Sequence, residues 1–228
     1  MKEALQQCRQ QIDAILYDLD GTLVETAPDL CAALNHCLEV AGRDPVDLAA
    51  VHGMVGDGAK ALLRKGLGKE EEDAEVDALY PTFLEYYGAH IADSSFLFPG
   101  ALDLLQTAAD LGYAQAVCTN KPESMSRALL AELKVDRFFK AVIGGDTLPI
   151  KKPDPEHVFA TVRACAAVPE RTLFIGDSAN DVNAAKAAGI PVIAVSFGYC
   201  HGRPEDLGAD ALVDHFNEIP DAMLRLFT

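Results

Sequence analysis

Positive charge is scarce in this sequence: 19 Lys and Arg stand against 35 Asp and Glu, a formal net charge of −16 over 228 residues. Polyanions are bound by clustered Lys and Arg that displace counterions, so this balance argues against a nucleic-acid or anionic-membrane surface. Any anionic ligand must be held by a local exception. The six cysteines, at positions 8, 31, 37, 118, 165 and 200, include no C-x-x-C pair and no zinc-like spacing to the six histidines. Reduced thiols and no disulfide framework are expected. The opening residues, MKEALQQCRQQ, hold no apolar stretch before a small-residue cleavage site, and no window reaches the uninterrupted apolar length of a membrane helix. A cytoplasmic, non-membrane protein is expected. Internal repeats and low-complexity tracts are absent, and no G-x-S-x-G nucleophile pattern accompanies the histidines.

What remains is ordinary globular composition, with 50% hydrophobic and 24% charged residues. The length suits one large domain, or a medium domain carrying an insertion. IDAILYD is an apolar run ending on Asp18 and followed at once by the turn Asp20-Gly21-Thr22. From Pro28 to about His90 the pattern is helical: LCAALNHCLEVAG, AKALLRKGLG and an acid-rich segment whose run Glu70 to Asp73 suits a solvated helix start. After Phe98-Pro99-Gly100, strands YAQAVCT, AVIGG, TLFIGD, IPVIAVS and ALVDH alternate with amphipathic helices. Such alternation predicts βαβ units and an α/β fold: a Rossmann-like parallel sheet core, covered on both faces. The predicted division is a core of residues 1–23 and 96–228, with residues 24–95 inserted as a small all-helical unit.

In open α/β sheets, ligands bind beyond the carboxyl ends of the strands. Three strands end there in polar residues: Asp18, Cys118-Thr119-Asn120 and Gly176-Asp177. Asp18 and Asp20 are two apart, so an extended chain points both to one side. Carboxylates that close invite a metal, or split into base and acid. Asp177 and Asp181 share one face of a helix start, and both can reach the same cation. The plainer readings are turn formers and helix caps, with Asp181 the strongest cap candidate.

These residues carry a resemblance. Asp18-Leu19-Asp20-Gly21-Thr22-Leu23 resembles the first motif of the haloacid dehalogenase superfamily, Thr119 the second, Lys152 before Pro153-Asp154-Pro155 the third, and Gly176-Asp177-Ser178-Ala179-Asn180-Asp181 the fourth. The helical insertion is similar to the family's small cap. VGDGAKALL, TNKP, GGDTLPIKKPDP, GDSANDV and FGYCHGRPEDLGAD resemble the family's phosphoglycolate phosphatase branch. The resemblance implies a Mg²⁺-dependent phosphatase for a small phosphorylated metabolite, 2-phosphoglycolate foremost, working through an aspartyl-phosphate. Phosphosugar phosphatases or mutases, nucleotidases and pyrophosphatases share the same core residues, and a receiver-like signalling module also phosphorylates a strand-end Asp.

On this reading Asp18 is the nucleophile and Asp20 the acid and base, favoured as a proton holder by its neighbour's charge. Asp18, Asp177 and the main chain at Asp20 hold Mg²⁺, with Asp181 supporting. Thr119 and Lys152 bind the phosphoryl group, helped by N–H groups at Leu19 and Asn120. The helix starting near Gly58 offers N–H groups to a small carboxylate. Lys151 reads as a solvated charge, and Lys121 and Pro122 as the opening of a helix. Thr22 doubles as a turn former, His52 reads as surface, and Phe197, Gly198 and Tyr199 as core wall beneath the cap. A monomer or small homo-oligomer is expected.

Overall fold

The computed structural model describes residues 1–71 and 73–227; Glu72 of the acidic run lies outside them. The chain opens with α1 (Lys2–Cys8) and β1 (Ala14–Tyr17), then passes through β2 (Val24–Glu25) into four helices. These are α2 (Ala27–Val40), α3 (Leu48–His52), α4 (Ala59–Gly66) and α5 (Ala74–Ala89). It returns through β3 (Phe96–Leu97) to α6 (Ala101–Asp110), β4 (Ala114–Cys118), α7 (Glu123–Glu132) and β5 (Ala141–Ile143). The last stretch is α8 (Pro155–Ala164), β6 (Thr172–Gly176), α9 (Ala179–Ala187), β7 (Val192–Val195), β8 (Ala211–Val213) and α10 (Ile219–Phe227).

Six strands form one parallel sheet in the order β5-β4-β1-β6-β7-β8. They are the six runs legible in the sequence. β1 is buried throughout, as a central parallel strand must be. Its side chains alternate between faces: Ile15 and Tyr17 pack with Leu5, Leu104 and Met223, while Ala14 and Leu16 pack with Val158, Val162 and Val182. Helices therefore cover both sides. From β1 the chain steps outward to β4 and β5, then crosses back to β6 and runs outward the other way. The crevice at this reversal lies between the carboxyl ends of β1 and β6, beside Asp18 and Asp177.

The inserted helices pack on one another through Leu34, Leu38, Leu63, Leu79 and Phe83. Where the chain leaves and re-enters the core, β2 and β3 pair antiparallel, Val24 opposite Leu97 and Glu25 opposite Phe96. The insertion expected over residues 24–95 is therefore not all-helical at its start, because a two-residue strand is too short to show any periodicity in the sequence. α1 was also illegible. It buries Leu5 and Cys8, and Tyr113 Oη donates to the Leu5 carbonyl at 2.7 Å. α3 is short and depends on its cap, Asp47, whose carboxylate accepts from the Ala50 N–H. All six cysteines are free, four of them buried. Among the described residues, no helix is long and apolar enough to cross a membrane.

Candidate active site

Register brings the polar strand ends level. Tyr17 pairs with Val117 on one side and Ile175 on the other, so Asp18, Thr119 and Asp177 emerge at one edge of the sheet. Lys152 comes from the segment before α8, follows with a cis peptide to Pro153, and is almost fully buried. Its Nζ lies 2.9 Å from Asp18 Oδ1 and 2.6 Å from Asp181 Oδ1. Burial works against this ammonium, but the carboxylates of Asp18 and Asp181 outweigh it and raise its pKa. The ring of Phe174 lies 5.5 Å beneath it.

Asp181 uses both oxygens. Oδ2 accepts from the N–H groups of Asp177 and Ser178 and from the Ser178 hydroxyl, closing a capping box on α9, while Oδ1 holds Lys152. The cap reading and the supporting reading are thus compatible. Asp177 is held by neutral donors, the Thr22 hydroxyl at 2.8 Å and the Tyr199 N–H at 2.6 Å. Burial, with Asp181 and Asp18 adding like charge, raises its pKa well above the carboxylate range. Burial also pushes Asp18 up to about 6 against the pull of Lys152, with Asp181 and Asp20 adding to the rise. Asp18 Oδ1 is buried and, despite its ion pair, has no aligned hydrogen-bond donor.

Ligand atoms of Asp18, Asp177 and Asp181 all lie within 4.8 Å of one another. Lys152 pairs with Asp18 and Asp181 only, and Asp177 has no cation beside it among the described residues, so negative charge is left uncompensated where burial makes it costly. The donor set is all oxygen. These residues fit a hard divalent cation.

Asp20 points elsewhere. Its two oxygens lie 3.0 and 3.3 Å from Lys121 Nζ, so it does not feel its carboxylate neighbour alone. Lys121 is the main correction to the sequence reading, because its side chain enters the site instead of merely opening α7. It is buried, donates to Tyr87 Oη at 2.6 Å, and keeps a raised pKa because Asp20 and Tyr87 outweigh its burial. The available signal was its place just beyond the carboxyl end of β4. Tyr87, on α5, carried no local signal at all. Thr22, a turn former in the sequence, and Tyr199, a residue of the core wall, both hold Asp177; Tyr199 Oη also accepts from the N–H groups of Thr26 and Ala27. His52 stacks on the Tyr199 ring, 5.4 Å between centroids.

Thr119 is buried, its hydroxyl accepting from the Lys121 N–H at 3.3 Å. Leu19 is buried behind the loop, its carbonyl accepting from the Leu23 and Val24 N–H groups. Asn120 Nδ2 donates to the carbonyls of Gly56 and Lys152, and its buried Oδ1 has no partner. Gly58 precedes α4 at φ +94°, where a Cβ would sit 3.1 Å from the Asn120 carbonyl. Close approach of loop to core therefore requires glycine there. Lys151 is exposed yet donates to the Asp57 carbonyl at 2.6 Å, and Asn180 reaches the Asp57 carboxylate at 3.0 Å. A cavity between the helices and the sheet is lined by Asp18, Asp20, Thr119, Asn120, Lys121 and Gly58, among others, with about 30 Å³ of free volume.

Fold and site together define a class. Residues 15–195 match the haloacid dehalogenase-like hydrolase family, and the chain belongs to it. It is a phosphatase of phosphomonoesters. Among its relatives is the phosphoglycolate phosphatase of Caulobacter vibrioides, 43% identical over 217 residues, covering 94% of this chain and 92% of that one. The crystal structure of a predicted phosphoglycolate phosphatase from Haemophilus somnus 129pt superposes with a TM-score of 0.85 at 31% identity, covering 92% of this chain and 97% of that one. That of CbbY from Rhodobacter sphaeroides in complex with phosphate gives a TM-score of 0.78 at 29% identity, covering 91% and 96%.

Proposed function

We propose that the protein hydrolyses 2-phosphoglycolate to glycolate and phosphate with Mg²⁺, through a phosphorylated Asp18. The observation that carries this is the convergence of Asp18, Asp177 and Asp181 at the crevice, with the buried Lys152 ammonium paired to Asp18 and Asp181. The Caulobacter relative's name points to the substrate. Asp18, Asp177 and the Asp20 main chain, supported by Asp181, would hold Mg²⁺, whose charge would offset the repulsion between a carboxylate and a phosphate dianion.

Asp18 attacks phosphorus, forming a carboxyl O–P bond while the ester O–P bond breaks. Asp20 protonates the departing alkoxide, then takes a proton from the water that cleaves the acyl phosphate. Thr119 donates to a phosphoryl oxygen, and Lys152 neutralises Asp18 and the transferred group. Asn120 and the N–H of Leu19 add donors, and the amino end of α4 at Gly58 faces the substrate's far end. We further assign residues 24–95 as a cap over a core of residues 1–23 and 96–228, hinged at the β2–β3 ribbon, which closes to exclude water.

Asp18→Asn is expected to lower turnover at least about a thousandfold. Chelation should abolish activity and Mg²⁺ restore it. A panel of phosphoglycolate, phosphosugars, nucleotides and pyrophosphate tests the substrate; a preference for phosphoglycolate below about tenfold would overturn the narrow assignment.

A further inference from the structure

Lys121 is a buried cation whose position the chemical steps above do not explain. Its side chain is 3% exposed, and among the described residues lining the cavity it is the only cation. The wall on the helical side is apolar, built from Leu30, Val55, Leu62 and Phe83. An ammonium buried against such a wall is costly unless anions meet it. One anion is present: Asp20, at 3.0 Å. Tyr87 also holds the ammonium, accepting through Oη at 2.6 Å with its ring centroid 4.4 Å away.

We propose that Lys121, steadied by Tyr87, binds a carboxylate of the substrate and so selects small phosphomonoesters that carry a carboxylate next to the ester carbon. This deepens the proposed function and rests on it. The argument is one of reach. Asp20 must face the ester oxygen to protonate it, and in a phosphorylated 2-hydroxy acid a single carbon separates that oxygen from the carboxylate. A cation one hydrogen-bond length from Asp20 therefore lies within contact distance of the carboxylate. The same ammonium can hold Asp20 and the substrate together, since it has three protons and Tyr87 takes one.

If Lys121 served only to position Asp20, its loss would affect all phosphomonoesters alike. Binding of two non-cleavable phosphonates separates these roles without requiring turnover. 3-Phosphonopropionate carries the carboxylate, and propylphosphonate lacks it. By calorimetry with Mg²⁺ present, the wild type is expected to bind the first at least about thirtyfold more tightly, the size of a buried charge-assisted hydrogen bond. Lys121→Met should bring the ratio close to one, and Lys121→Arg should retain most of it. Retained binding of propylphosphonate reports an intact site; should the Met variant misfold, Lys121→Gln carries the same expectation. A Met or Gln variant that keeps the wild-type ratio would overturn the inference, as would a wild type that hydrolyses phosphomonoesters but shows no preference between the phosphonates. Failure of the wild type to hydrolyse any phosphomonoester would instead overturn the mechanism on which the inference rests.

Discussion

Asp177 illustrates how a single side chain is arranged against stability and in favour of ligand binding. Its oxygens face a hydroxyl and a main-chain N–H, with no cation of the chain paired to it among the described residues. Asp177→Asn keeps an acceptor for Tyr199 and removes the buried charge. It is expected to stabilise the chelated protein by about 1–3 kcal/mol while abolishing Mg²⁺ binding and turnover. Thermal melts with and without Mg²⁺ check both halves. The pH dependence follows with its sign. Asp18 and Asp177 have folded-state pKa values above their unfolded ones, so the fold binds more protons than the unfolded chain in the interval between. Their contribution to the stability of the metal-free protein is therefore fullest in acid, and is lost as pH rises from 3.8 through about 6 for Asp18 and beyond for Asp177. The gap in melting midpoint between Mg²⁺-loaded and chelated protein should widen over that range; a pH-independent gap would refute the assignment.

The segment after β7 is an element whose importance is invisible in local sequence. A Cβ on Gly198 would sit 2.3 Å from the Asp177 Cβ and 2.4 Å from the Gly21 carbonyl, so the backbone itself forms the wall of the site. Gly198→Ala must displace the segment carrying Tyr199, at a cost of about 1–3 kcal/mol, and should weaken Mg²⁺ binding in calorimetry. Gly112→Ala is the control: its φ of +78° makes it strained, but nothing lies within 4 Å, so metal affinity should not change. α9 begins earlier than the sequence suggests: its N-cap is Ser178, and Asp181, the cap candidate, is the third helical residue and closes the capping box. α1 was not legible in the sequence, since seven residues with two buried apolar side chains beyond Ala4 give too little pattern.

At the scale of the whole molecule, helices and sheet meet through a few polar contacts around residues 56–58. Asn120 and Asn180 reach the Gly56 and Asp57 loop, Lys151 reaches the Asp57 carbonyl, and Lys121 reaches Tyr87. If the inserted helices open and close over the core, these contacts set the closed population. Replacing Lys151 and Asn180 together by Ala is expected to lower kcat/KM about tenfold by loosening closure, with the melting midpoint little changed because both groups contribute weak surface contacts. Steady-state kinetics beside a thermal melt check this; unchanged kinetics would mean that closure does not depend on this latch.

The excess of negative charge also takes on a location. Part of it is the buried trio of Asp18, Asp177 and Asp181, and much of the rest lies on the surface. The sequence by itself determined the sheet and its carboxyl-end acids, because strand periodicity and polar run ends are local signals. Only the tertiary structure decided that Lys121, Tyr87, Thr22 and Tyr199 join them. Their contacts with Asp20, Asp177 and one another span 22 to 155 positions, and no local pattern encodes which distant partner will offset a buried charge.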